Sequence, residues 1–245
     1  MMEENVRNNI DLLEEKLKKI DISINNRQKE QFLQYYDMMI ETNKVMNLTS
    51  ITDPVEVIDK HFVDSLAIHQ IYDFSGNISV IDVGTGAGFP GIPLKIVFPE
   101  MQIVLLDSLN KRIRFLNEVV ESLNLSGITC VHGRSEDMAQ KQEYREKFDY
   151  CVSRAVANLS SLSELCLPFV KVDGKFISYK AGNSQEEINA AAPAVDKLGG
   201  KIEHISEFRL PDTDLERVFV EIKKICNTPK KYPRKAGTPV REPLR

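Results

Sequence analysis

The densest chemistry in the chain lies in one decapeptide, Asp82-Val83-Gly84-Thr85-Gly86-Ala87-Gly88-Phe89-Pro90-Gly91. Glycines at Gly84, Gly86 and Gly88 let a backbone turn tightly and approach a ligand closely. A Gly-x-Gly-x-Gly run on its own also fits nicotinamide, flavin and plain turns, so the neighbouring acid matters. Asp82 stands two residues before the first glycine. A carboxylate there repels a dinucleotide pyrophosphate and complements a ligand that carries an ammonium and a sulfonium. S-adenosylmethionine carries both.

Asp107 lies twenty-three residues after Gly84. At a strand end it can accept both hydroxyls of an adenosine ribose, or it can cap the helix that begins at Asn110 or Lys111. Ser135 and Glu136 follow a third strand, where an adenine edge would lie; they read equally as a helix N-cap and a first-turn acid. Arg154 ends a fourth strand and can touch both cofactor and acceptor, or pair with a carboxylate across the mouth of the sheet. Lys180 ends a fifth strand and is a candidate phosphate contact. His61 and Asp64 sit one turn apart on an earlier helix and either help close the site or contact each other locally.

These residues need a scaffold with strand ends on one rim. Helical periodicity runs through 9–20 and 28–42, where Phe32, Tyr35, Tyr36, Met39 and Ile40 recur on one face. Asp53, Pro54 and Glu56 start a third helix, which ends near Tyr72. Residues 1–75 therefore read as a helical cap. Strand patterns follow at 78–84, 101–108, 128–133, 148–155 and 174–180, separated by helical segments at 91–98, 110–124 and 158–170. A helix at 184–198 precedes two last strands, 201–210 and 216–225, joined only by PDTDL. Alternating strands and helices predict a mostly parallel α/β sheet covered on both faces. The short final link predicts an antiparallel hairpin. By analogy, that count and order match a Rossmann-like methyltransferase domain over 76–226.

Of 245 residues, 42% are hydrophobic and 28% charged, which are globular proportions. No apolar run approaches a membrane span, and the acidic start lacks the plan of a signal peptide, so a cytoplasmic protein is expected; it is also expected to be a monomer. Cys130, Cys151, Cys166 and Cys226 have no metal-ligand spacing, and no metal site is expected. Net charge is −4, but its distribution is uneven: residues 1–64 hold thirteen acids against eight bases, and residues 223–245 hold eight bases against Glu242 alone. The segment 227–245 is thus a basic, proline-rich tail packed on or beside the domain. Lys230, Lys231, Arg234, Lys235 and Arg241 suit a phosphate backbone, and Tyr232 suits stacking on a base. The prolines at 229, 233, 239 and 243 argue for an extended tail without regular helix.

Taken together, NLTSI at 47–51, KHFVDSL at 60–66, DVGTGAGFPGIPLKI at 82–96, LLDSLNKRIRFL at 105–116, GRSED at 133–137, SRAVANLSSLSELCLPFV at 153–170 and KKYPRKAGTPVREPL at 230–244 resemble the bacterial 16S ribosomal RNA guanine-N7 methyltransferase family, also called glucose-inhibited division protein B. The resemblance covers the chain from about residue 30 onward. It implies cofactor contacts at Gly84, Phe89, Ser135, Glu136 and Arg154. It also implies guanine 527, in the 530 loop of 16S RNA of the assembled or assembling small subunit, as the acceptor. Guanine N7 carries a free lone pair, so no general base is required and none is assigned. The sequence is also compatible with three other readings: a methyltransferase for another RNA or a protein, a nicotinamide-dependent dehydrogenase, and a non-catalytic ribosome-assembly factor.

Overall fold

In the computed structural model, residues 2–154, 157–182 and 184–245 are described, with side chains from residue 9 onward. Ala155, the expected last residue of the fourth strand, and Val156 of the SRAVA segment lie outside the described residues. The N-terminal third is helical. Helix α1 (Met2–Lys18) precedes α2 (Asn26–Met46), which Asn25 and Gln28 start with a reciprocal capping box. The third helix begins as its sequence requires: the Asp53 side chain accepts from the Glu56 amide, and Pro54 takes the first turn.

That third helix then departs from the regular one expected. It runs as α3 (Pro54–Val57), a π turn (Ile58–Val63), α4 (Asp64–Leu66) and a 3-10 turn (Ala67–Gln70). The Asp64 amide reaches back to the Asp59 carbonyl, five residues earlier. Such a bulge inserts an extra residue into the turn and frees carbonyls from the helical ladder. The Lys60 carbonyl, inside this π turn, faces the site described below.

A seven-stranded sheet follows, in the order β3-β2-β1-β4-β5-β7-β6. In chain order its elements are β1 (Ser79–Val83), α5 (Gly91–Val97), β2 (Gln102–Asp107), α6 (Asn110–Ser122), β3 (Ile128–His132), α7 (Ser135–Met138), β4 (Phe148–Ser153), α8 (Leu159–Cys166) with a 3-10 extension (Leu167–Phe169), β5 (Val170–Ala181), α9 (Gln185–Lys197), β6 (Gly200–Arg209) and β7 (Glu216–Lys224). Strands β1 to β5 pair in parallel, and β7 pairs antiparallel with both β5 and β6. The expected hairpin is present, with β7 inserted beside β5 and β6 at the edge. Strand β5 is longer than its GKFISYK pattern suggested, because its first residues pair with β4 across a register shift between Phe148 and Tyr150.

Two apolar cores sandwich the sheet. One joins Phe32, Tyr35, Phe62 and Leu66 of the helical third to Phe89, Leu105, Phe115 and Phe219, so the cap shares its core with the sheet. The other packs Ile81, Cys151, Leu162, Phe176, Ile188 and Val220, and takes in Tyr232 of the tail. The tail contains a short helix, α10 (Thr238–Arg241), which corrects the expectation of a wholly extended segment. Pro239 sits in its first turn, where a missing amide hydrogen costs nothing. No helix among the described residues is long and apolar enough to cross a membrane.

Candidate active site

The parallel strands direct their carboxyl ends to one rim, where open α/β sheets bind ligands. There a cavity of about 590 Å³ is walled by Val83, Gly84, Thr85, Gly86, Phe89, Asp107, Ser135, Glu136 and Arg154. The glycine loop turns through positive φ at Gly84 (73°) and Gly86 (63°), a region that side chains strain. The Gly84 and Thr85 amides donate to the Leu106 carbonyl, and the Gly86 amide donates to Asp107 Oδ2 at 3.0 Å. Asp107 also accepts from the Leu109 amide and from Arg112, so it ties the loop to the start of α6 while lining the cavity.

Several expected site residues face away from the cavity or bond within the protein. Asp82 is fully buried beneath the loop and does not line the cavity. Its Oδ2 accepts from Thr85 Oγ1 at 2.7 Å and from the Gly91 amide at 2.9 Å, and its Oδ1 has no hydrogen-bond partner among the described residues. Burial pushes the carboxyl up to about 7, against the pull of Thr85, Gly91 and Arg154. Gly88 also lies outside the cavity; a side chain there would strike Ile92, the Tyr35 hydroxyl and Leu116, so its smallness serves the docking of α2. The Ser135 hydroxyl donates to the Leu165 carbonyl. Glu136 Oε1 accepts from the Gly237 amide of the tail at 2.7 Å.

Arg154 lies at the centre of the rim. Its Nη1 donates to the Lys60 carbonyl at 2.9 Å and to Asp64 Oδ2 at 3.0 Å, and its guanidinium stands 5.0 Å over the Phe89 ring. Asp64 is the carboxylate partner across the sheet mouth. Its Oδ1 accepts from Arg217 Nε at 2.7 Å. His61 stacks on Phe89 with centroids 4.4 Å apart, and Nε2 faces Thr49 Oγ1 at 2.9 Å. Its Nδ1 lies 3.0 Å from the Lys60 carbonyl and 3.3 Å from Arg154 Nη2; a neutral ring serves one of these at a time. Burial first, then the Arg154 charge, lowers the imidazole to about 3. The π turn thus turns His61, the Lys60 carbonyl and Asp64 toward one arginine.

Arg154 also borders a second cavity of about 650 Å³, lined by Asp64, Asn158, Tyr179, Lys180, Glu187 and Arg217. Here Lys180, the candidate phosphate contact, donates to Glu187 Oε1 (2.6 Å) and to the Ala157 carbonyl (2.7 Å).

In the tail, Tyr232 is 8% exposed, which corrects the expectation that it stacks on a base. Arg234 is also turned inward: Nε and Nη2 grip both oxygens of Glu164, a carboxylate with no exposed surface. Lys230, Lys231, Lys235 and Arg241 remain exposed. The first cavity further includes Thr49, Arg112, Arg134, Gly237 and Val240, none of them singled out from sequence. Arg134 and Thr49 lie inside the quoted GRSED and NLTSI segments. Arg217 carried no local signal, because its partner Asp64 is 153 residues away.

The fold and the site together define a class I, Rossmann-like methyltransferase. At low identity, related folds include the crystal structure of M. jannaschii TYW2 in complex with AdoMet (TM-score 0.50, 17% identity, 62% of this chain and 72% of that one). Another is TrmN from Thermus thermophilus (TM-score 0.51, 16% identity, 69% and 53%). The GidB family model, described as rRNA small subunit methyltransferase G, matches residues 28–216. The chain belongs to this family. Proteins named ribosomal RNA small subunit methyltransferase G are 53% identical to it in Lachnoclostridium phytofermentans, over 93% of this chain and 94% of that one. The counterpart in Acetivibrio thermocellus is also 53% identical, over 91% of each.

Proposed function

We propose that this chain transfers the methyl group of S-adenosylmethionine to N7 of guanine 527 in 16S ribosomal RNA, within the small subunit or its assembly intermediate. The observation that carries the reading is the cavity at the carboxyl ends of β1 to β3, whose donor set fits that cofactor. Val83, Leu106, Leu162 and Leu165 offer apolar faces to a flat base. Asp107 Oδ1, bonded among the described residues to the Leu109 amide alone, keeps acceptor capacity for a ribose hydroxyl. Gly84 and Gly86 let backbone approach the amino-acid portion, and Asp82 supplies a carboxyl just beneath the loop. With their side chains committed to Leu165 and Gly237, Ser135 and Glu136 offer chiefly backbone groups.

When bound, S-adenosylmethionine supplies an electrophilic methyl on a sulfonium. The protein then has to align and shield rather than move protons, because guanine N7 attacks through a lone pair it already exposes. Phe89, His61 and Arg154 stack along the first cavity, Arg154 borders both cavities, and the second accommodates a base taken out of its stack. Neutral His61 adds no positive charge where the purine becomes cationic, and Asp64 places a carboxylate nearby. Lys230, Lys231, Lys235 and Arg241 hold the RNA by its phosphates.

The test incubates the protein with radiolabelled S-adenosylmethionine and small subunits lacking the modification, then maps the labelled nucleotide. Label at N7 of guanine 527 is expected. Cofactor binding with label elsewhere would retain the pocket and reject the acceptor. Neither binding nor label would reject the reading.

A further inference from the structure

The second cavity holds a charge arrangement that methyl transfer alone does not require. Lys180 on β5 and Glu187 on α9 stand side by side at its wall, Nζ to Oε1 2.6 Å, with side chains 11% and 32% exposed. Both are fixed from behind. The Ala157 carbonyl accepts from Lys180, and the Leu159 amide donates to the same Glu187 oxygen at 2.6 Å. A fixed ammonium beside a fixed carboxylate presents a donor next to an acceptor.

Guanine offers the complement on its Watson–Crick edge: O6 accepts, and the adjacent N1–H and N2–H donate. Adenine presents the reverse at the same two positions, an amino donor beside an N1 acceptor. A carboxylate engaged with N1–H and N2–H also lies across the purine from N7, leaving N7 free to face the first cavity. Asp64, also at this cavity, is less suited, since each of its oxygens already accepts from an arginine, whereas Lys180 and the Leu159 amide both bond Glu187 through Oε1. A phosphate at Lys180 would meet the Glu187 carboxylate beside it.

On the methyl-transfer reading above, we propose that Lys180 and Glu187 select guanine by its Watson–Crick edge in the second cavity. Lys180 donates to O6, and Glu187 Oε2 accepts from N1–H and N2–H while Oε1 stays bonded to Lys180 and the Leu159 amide.

The test compares wild-type protein and Glu187→Gln on small subunits reconstituted with 16S RNA that carries either guanosine or inosine at the methylated position. Inosine keeps O6, N1–H and N7 but lacks the N2 amine. Wild type should methylate guanosine with kcat/KM at least tenfold above inosine. Glu187→Gln keeps an oxygen for Leu159 and Lys180 but turns an amide donor toward N1–H. It should lose tenfold or more on guanosine, mainly in kcat, retain S-adenosylmethionine affinity, and discriminate inosine less than threefold. Equal wild-type rates on the two substrates would overturn the proposal. So would a slower Glu187→Gln that keeps the wild-type guanosine-to-inosine ratio, which marks a merely structural role. No N7 label from wild type on either substrate would instead remove the methyl-transfer reading, and this inference with it.

Discussion

His61 and Asp82 respond to acid in opposite senses. Burial lowers the His61 imidazole to about 3, so between pH 6.5 and 3 the unfolded chain binds a proton that the folded one refuses. The stability His61 contributes is complete above pH 6.5 and is lost as pH falls through that window. Burial raises the Asp82 carboxyl from 3.8 to about 7, so across that interval the folded chain holds a proton the unfolded one has released. Its contribution grows as pH falls from 7 toward 4. Replacing His61 with glutamine removes the first trend and keeps the second. On going from pH 7 to 5 the variant's stability should change by about 2 kcal/mol more favourably than that of wild type, measured by urea unfolding at both pH values. An identical pH dependence in the two proteins would place His61 in water rather than against Phe89.

Among the elements, the tail is fastened by polar contacts with deeply placed partners. Arg145 donates to the carbonyls of Ala139, Thr228 and Tyr232, Ser161 donates to the Pro239 carbonyl, and Arg234 neutralises Glu164. Removing one partner of a buried ion pair strands the other charge. Arg234→Met should therefore destabilise the fold by about 3 kcal/mol, while Lys235→Met, at an exposed position, should change the melting temperature little. Thermal unfolding of the two variants separates these outcomes. The same contacts mark where local pattern stops being informative. The strands were legible from their apolar runs, and the α3 start from Asp53, Pro54 and Glu56, because those signals act within a few residues. The π turn at Ile58–Val63 was not, since its apolar spacing matches a regular helix and the Lys60 carbonyl finds its partner in Arg154, just past β4 and 94 residues away. Arg234 and Tyr232 read as surface groups because Glu164 and the second core that receive them lie far away in sequence.

For the molecule as a whole, a net charge of −4 coexists with a local basic face at the tail. Deleting 229–245 to test RNA contact would also strip Glu164 and Arg145 of their partners, so charge should be changed in place. Neutralising Lys230, Lys231, Lys235 and Arg241 together should lower affinity for small-subunit RNA. It should also flatten the slope of log affinity against log salt by up to about 3, read from titrations between about 50 and 200 mM salt. An unchanged slope would mean that the RNA lies elsewhere. The tail also sets an order on biosynthesis. Gly237 and Val240 complete a wall of the same cavity that Gly84 opens, and Glu136 waits on the Gly237 amide. Translation must therefore run some 150 codons beyond the glycine loop before that wall exists. A chain arrested earlier, by a nonsense codon or a stalled ribosome, would carry the glycine loop in an incomplete cavity.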